Sequence, residues 1–274
     1  MTAGDVEVIR GSLNSRKAVA FDGTDDELQI NAQAVGLQVL ADATGSFSMW
    51  IMPDDITQTS GLISYGVAPA VAAAENLLLE QVAGKIRLYG RTQAAAGFDI
   101  ITTNNVLTKR VWQQITIVKT AVRPNIYING EIVAMTDTVS TDLTDWFAEF
   151  VNLDEARIGC KTINGGESEF FDGCIGAVKY WTRELQPREV IEDYKGNALL
   201  NDATHLYSSW GWDEVLTDAG VGADTAVAVA ETYLSGWTSP WSRLLELNYA
   251  HANDIYHSIP DSNGLVTTAI IKGA

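Results

Sequence analysis

Ser46-Phe47-Ser48-Met49-Trp50-Ile51-Met52 alternates polar and apolar residues until Pro53 ends the pattern. A period of two over so short a run belongs to a strand with one face buried. One of the sets, Phe47-Met49-Ile51 or Ser48-Trp50, faces between two sheets, and the other faces out or lies under a loop. Lys85-Ile86-Arg87-Leu88-Tyr89, Trp112-Gln113-Gln114-Ile115-Thr116-Ile117-Val118 and Asn125-Ile126-Tyr127-Ile128 repeat the alternation. Asp22-Gly23, Asn129-Gly130, Gly165-Gly166 and Asp172-Gly173 read as turns between such runs. The clearest hairpin is Ile126-Tyr127-Ile128-Asn129-Gly130-Glu131-Ile132-Val133, because Asn-Gly tolerates the positive φ of a type I′ turn between apolar flanks. Many short strands at this spacing predict a sandwich.

The 274 residues carry a net charge of −17, with 46% hydrophobic and 19% charged residues. That composition is globular, not disordered. Such acidity argues against phosphate-directed nucleic-acid binding and against anionic membrane surfaces. Met1-Thr2-Ala3-Gly4-Asp5 and the residues after it lack the basic and apolar regions of a secretory leader. A chain made in the cytoplasm without a signal peptide is expected. Cys160 and Cys174 read as two buried thiols, with a disulfide across neighbouring strands as the alternative. Two thiols without nearby histidines do not complete a zinc tetrahedron.

One short helix is expected over Leu185-Gln186-Pro187-Arg188-Glu189-Val190-Ile191-Glu192-Asp193-Tyr194, where proline sits at an early helical position. After Asn197 the composition shifts. Trp210, Trp212, Trp237 and Trp241 fall here, with His205, His251 and His257. So aromatic a tail has to bury its rings on the domain or on a partner.

The motifs resemble the laminin-G-like, concanavalin-type jelly roll over about residues 16–198. The matching pieces, in order, begin with Ala20-Phe21-Asp22-Gly23-Thr24-Asp25-Asp26 and the Ser46–Pro53 strand. Trp112-Gln113-Gln114-Ile115 and the Asn129-Gly130 hairpin come next, then Arg157-Ile158-Gly159 and Phe171-Asp172-Gly173-Cys174-Ile175-Gly176. Trp181-Thr182-Arg183-Glu184-Leu185-Gln186-Pro187 closes the series. Leu206-Tyr207-Ser208-Ser209-Trp210-Gly211-Trp212 after the helix is similar to laminin-G-like proteins of tailed bacteriophages, where such a strand returns to the domain. The resemblance implies an all-β jelly-roll sandwich over 1–198 with one short helix. It also implies a returning strand and loop over 199–234 and a C-terminal extension over 235–274 that acts as an assembly arm.

The fold also houses glycoside hydrolases, which need two carboxylates across a cleft. Glu167-Ser168-Glu169 is a close pair, but beside Gly165-Gly166 it reads as a solvated hairpin tip. With no Gly-x-Ser-x-Gly elbow and no Walker loop, no catalytic residue is assigned. Calcium is the metal that the pattern suits, through Asp22, Asp25 and Asp26 with Asp172 nearby; a turn built on propensity alone is the competing reading. Trp146, Trp210, Trp212, Trp237 and Trp241 are candidates for sugar stacking or for an interface, against simple core packing. No basic ligand patch is evident in the sequence.

The expectation that follows is a non-enzymatic virion-surface protein of a tailed bacteriophage, in capsid decoration or in a fibre or spike. Its partners would be copies of itself and capsid or tail proteins. The alternatives are a carbohydrate-binding adhesin or receptor-binding tail protein that contacts surface glycans, and a hydrolase of the same fold.

Overall fold

The computed structural model describes residues 18–68, 75–92, 96–197, 199 and 204–209 in full. It describes the backbone alone at 8–9, 202–203, 210, 227–228, 256–260 and 266–270. The early strands are β1 (Val8–Ile9), β2 (Ala18–Asp22), β3 (Leu28–Gln29), β4 (Gly45–Pro53), β5 (Thr59–Gly66), β6 (Asn76–Val82) and β7 (Lys85–Arg91). Then come β8 (Ala96–Thr102), β9 (Gln113–Lys119), β10 (Pro124–Ile128), β11 (Glu131–Ile132), β12 (Met135–Ser140) and β13 (Glu155–Ile158). The remainder are β14 (Lys161–Ile163), β15 (Gly166–Ser168), β16 (Asp172–Trp181), β17 (Leu206–Trp210), β18 (Val227–Ala228), β19 (Tyr256–Pro260) and β20 (Val266–Ile270). Helices are α1 (Asn31–Leu40), α2 (Pro187–Tyr194) and the short α3 (Asp202–His205).

The chain divides into two compact units, residues 1–237 and 238–274. In the second, β19 and β20 form an antiparallel hairpin. The first is a sandwich of two antiparallel sheets. Sheet I has the order β1-β2-β16-β4-β9-β10-β11, with β17 pairing on β16. Sheet II has the order β12-β8-β7-β6-β5-β13-β3-β18. Phe47, Met49 and Ile51 of β4 face between the sheets and pack with Tyr180, Ile117 and Ile175 of sheet I and Tyr65, Leu77, Leu88 and Phe98 of sheet II. Asn129 (φ 53°) and Gly130 (φ 84°) make the expected hairpin turn between β10 and β11.

The other face of β4 is not solvated. α2 covers it, so strands that alternate in sequence are buried on both faces. Tyr194 stacks on Trp50 with ring centroids 5.6 Å apart and planes 24° apart. Asp193, also buried, accepts from Ser48 Oγ (2.7 Å), Gln114 Nε2 (2.8 Å) and Lys179 Nζ (2.6 Å). The start of the helix is fixed by Pro187 and by a capping box between Gln186 and Glu189.

Several expectations need correction. α1 is a second full helix that the sequence reading missed. Its N-cap, Ile30, makes no side-chain capping bond, Gly36 sits in its interior, and Val35 and Val39 are exposed while Ala34 and Leu37 are buried. It therefore has neither a start signal nor a clean apolar face. Asp172-Gly173 is no turn: Asp172 pairs with Asp22, and Gly173 with Phe21 and Pro53, as the first residues of β16. The turn assigned to Gly165-Gly166 is made by Asn164 and Gly165 (φ 51° and 70°). Trp146 offers no sugar platform, because it is 0% exposed and packs against Phe47, Phe147 and Tyr180 in the core. Trp212, Trp237 and Trp241, and the side chain of Trp210, lie outside the described residues, as does most of the 235–274 extension. Cys160 and Cys174 are free and buried. Among the described residues, no helix is long and apolar enough to cross a membrane.

Beside Trp146, the carboxyl of Asp145 is pushed up to about 6, first by burial and then by Asp142 and Glu149. The folded state thus binds that proton more tightly than the unfolded chain does. Its stabilising contribution is present below the ordinary Asp value and is lost as the pH rises through about 6. Asp145→Asn is expected to raise the melting temperature at pH 7.5 and to change it little at pH 4, as read by thermal denaturation at the two pH values.

Candidate functional site

With α2 over sheet I, the outer face of sheet II is left to a different cover. Alternation places Ile86 and Leu88 of β7 in the core and sends Arg87, Tyr89 and Arg91 outward. Cross-strand register sets Asn76 of β6 opposite Arg91, Leu78 opposite Tyr89 and Glu80 opposite Arg87. The β14–β15 hairpin lies over part of this face. Ser64 of β5 holds it by accepting from Thr162 N (3.1 Å) and donating to Cys160 O (2.9 Å). Gly61 permits the approach, since a side chain there would collide with the backbone of Cys160 and Lys161.

A groove of about 310 Å³ remains between the hairpin and the strands, lined by Asn76 and Leu78 from β6, Arg87, Tyr89 and Arg91 from β7, and Lys161 and Ile163 from β14. The sequence showed no basic patch, yet every charged residue lining this groove is a cation. The clue was the outward set of the Lys85–Tyr89 alternation, which needs β14 folded across it to become a site.

Two of the cations are paired with acids. Arg87 reaches Glu80 (2.9 Å) and grips Asp99 with two bonds (2.8 and 2.7 Å). Its guanidinium also lies 5.0 Å from the centre of the Tyr89 ring. Lys161 reaches Glu169 (2.9 Å) and Glu80 (3.4 Å). Burial pushes the Glu80 carboxyl up, and the Lys161 and Arg87 charges oppose that shift. Burial works the same way at Asp99, but the Arg87 hydrogen bonds and charge outweigh it and hold that carboxyl below its usual range. Glu167, expected at a solvated tip, is bonded to Arg157 (3.1 Å), which also holds buried Glu27 (3.1 Å).

Asp22, Asp25 and Asp26 bring carboxylate oxygens within 4.8 Å of one another, and Asp172 pairs with Asp22 across the strands. Two of these carboxylates also shape the turn: Asp22 Oδ1 accepts from Thr24 N (2.8 Å), and Asp26 Oδ2 from Asp22 N (2.9 Å). The set has the hard oxygen donors that calcium favours, and the turn itself uses the same oxygens.

Glu80 is 0% exposed, so removing Lys161 leaves its buried charge with Arg87 alone. Lys161→Met should destabilise the fold by about 1–2 kcal/mol, below the cost of a fully orphaned charge because Arg87 remains on Glu80. Adding Glu80→Gln should recover part of that loss, as measured by urea unfolding of the single and double variants.

No curated protein matches the sequence. Solved structures match at the level of fold. The CBM40 of the Ruminococcus gnavus IT-sialidase aligns with a TM-score of 0.54 at 14% identity, over 65% of this chain and 97% of that one. A further structure of that protein is bound to α2,3-sialyllactose. The NanB sialidase from Streptococcus pneumoniae aligns at 0.53 and 16% identity, over 64% of this chain and 27% of that one. The leech intramolecular trans-sialidase aligns at 0.53 and 14% identity, over 73% and 30%. A family model described as the concanavalin A-like lectin/glucanases superfamily matches residues 22–191, more than half of the chain. The chain belongs to the concanavalin A-like lectin/glucanases superfamily.

Proposed function

We propose that the chain is a non-enzymatic carbohydrate-binding module whose ligand occupies the groove on the outer face of sheet II. The observation that carries this reading is the lining itself. A half-exposed tyrosine, an amide and guanidinium donors converge beside two apolar residues in one concave site. Sugars present both kinds of surface: C–H faces that pack on an aromatic ring, and hydroxyls that accept from fixed donors. The CBM40 with α2,3-sialyllactose bound supports the choice of a glycan over other small molecules.

The pairing of the nearby acids supports a non-catalytic role. Glycoside hydrolysis needs two carboxylates facing a cleft, one free to donate a proton and the other to attack or to activate water. Here Glu80, Asp99 and Glu169 are each engaged by Arg87 or Lys161, and none of them lines the groove. Placement on a phage particle stays a proposal that rests on the sequence resemblance of the returning strand, which pairs with β16 in sheet I. Copy number in purified particles tests that placement.

The expected result for the groove is saturable glycan binding in calorimetry with α2,3-sialyllactose and neutral oligosaccharides as probes. Tyr89→Ala should weaken binding about tenfold or more while leaving the melting transition in place. Full affinity in Tyr89→Ala would move the site elsewhere.

A further inference from the structure

Three cations line the groove, but their donors are not equally available. Arg87 is committed to Glu80 and Asp99, and Lys161 to Glu80 and Glu169. Arg91 differs. Among the described residues it forms no ion pair, and its buried Nε–H has no hydrogen-bond partner. That Nε–H is closed to solvent, which leaves the terminal Nη groups of this groove-lining side chain as the donors that a ligand can meet.

We infer that Arg91 selects the ligand by charge and that the groove takes a glycan bearing a single carboxylate. This rests on the glycan reading above and narrows it. The two terminal Nη groups of a guanidinium present a pair of parallel N–H donors that matches the two oxygens of a carboxylate. A neutral hydroxyl engages only one of that pair. The register puts Asn76 directly across from Arg91 and Tyr89 two residues before it on the same face, so the carboxylate arrives beside the amide and the ring. The same arrangement excludes polyanions. A second negative charge would find Arg87 and Lys161 already bonded and would approach Glu80, Asp99 and Glu169, within a chain of net charge −17.

The test is a glycan array of neutral, singly carboxylated and polysulfated glycans, probed with the full chain and with its Arg91→Gln, Arg91→Lys and Tyr89→Ala variants. Expected are hits among the singly carboxylated glycans, weakened about tenfold or more in Arg91→Gln and partly restored in Arg91→Lys. Neutral hits that Tyr89→Ala abolishes and Arg91→Gln leaves intact would overturn the charge selection and leave the groove standing. Hits dominated by polysulfated glycans would also overturn it. An array without hits in any class would remove the glycan reading together with this one.

Discussion

A carboxylate cut off from water needs a cation, and two such carboxylates decide what each outer face of this sandwich becomes. Asp193 takes Lys179 together with Ser48 and Gln114, and so ties α2 onto sheet I. Glu80 takes Arg87 and Lys161, and so ties the β14–β15 hairpin onto sheet II. The covers differ in kind. α2 adds an apolar underside, with Val190 and Tyr194 packed on the sheet beside Leu185 from just before the helix. The hairpin brings short strands whose far side is exposed, and it covers only part of its face. The groove on sheet II forms where that partial cover leaves the face open.

The sandwich was legible because its signal is local. Strand alternation, the Asn129-Gly130 turn and the Pro187 helix start each depend on residues a few positions apart. The outer faces were harder to read. A strand covered on both sides still alternates when its second cover is polar, so Ser48 looks solvent-facing until Asp193 is placed on it. α1 hid for the opposite reason: it lacks a capping bond and leaves Val35 and Val39 exposed. The groove was least legible of all. Arg91 and Lys161 lie on β7 and β14 and meet only because Gly61 lets the hairpin backbone close on β5. No spacing rule encodes that meeting. Trp146 shows the converse: a residue type suited to sugar stacking went to the core, where a large ring buries the most area.

The net charge takes on a local meaning in this setting. The acidic surplus is spread along the chain, while the groove lining concentrates three cations, two of which are paired with acids. Those ion pairs fix Arg87 and Lys161 in place, so the walls on either side of the ligand lose little conformational freedom on binding.

The central strand of sheet I has a consequence for the order in which the molecule can be made. β4, near the start of the chain, waits for β16 as its neighbour, and β16 carries β2 and β17 in succession along its other edge. A chain emerging from the ribosome has β4 through β12 in hand before that partner exists. Until residue 181 is free, β4 has β9 alone beside it, and its opposite edge is an open template for any passing strand. Completion of the sheet is thus a late event with long-range contacts, and the nascent chain is most prone to mispairing in the interval before it.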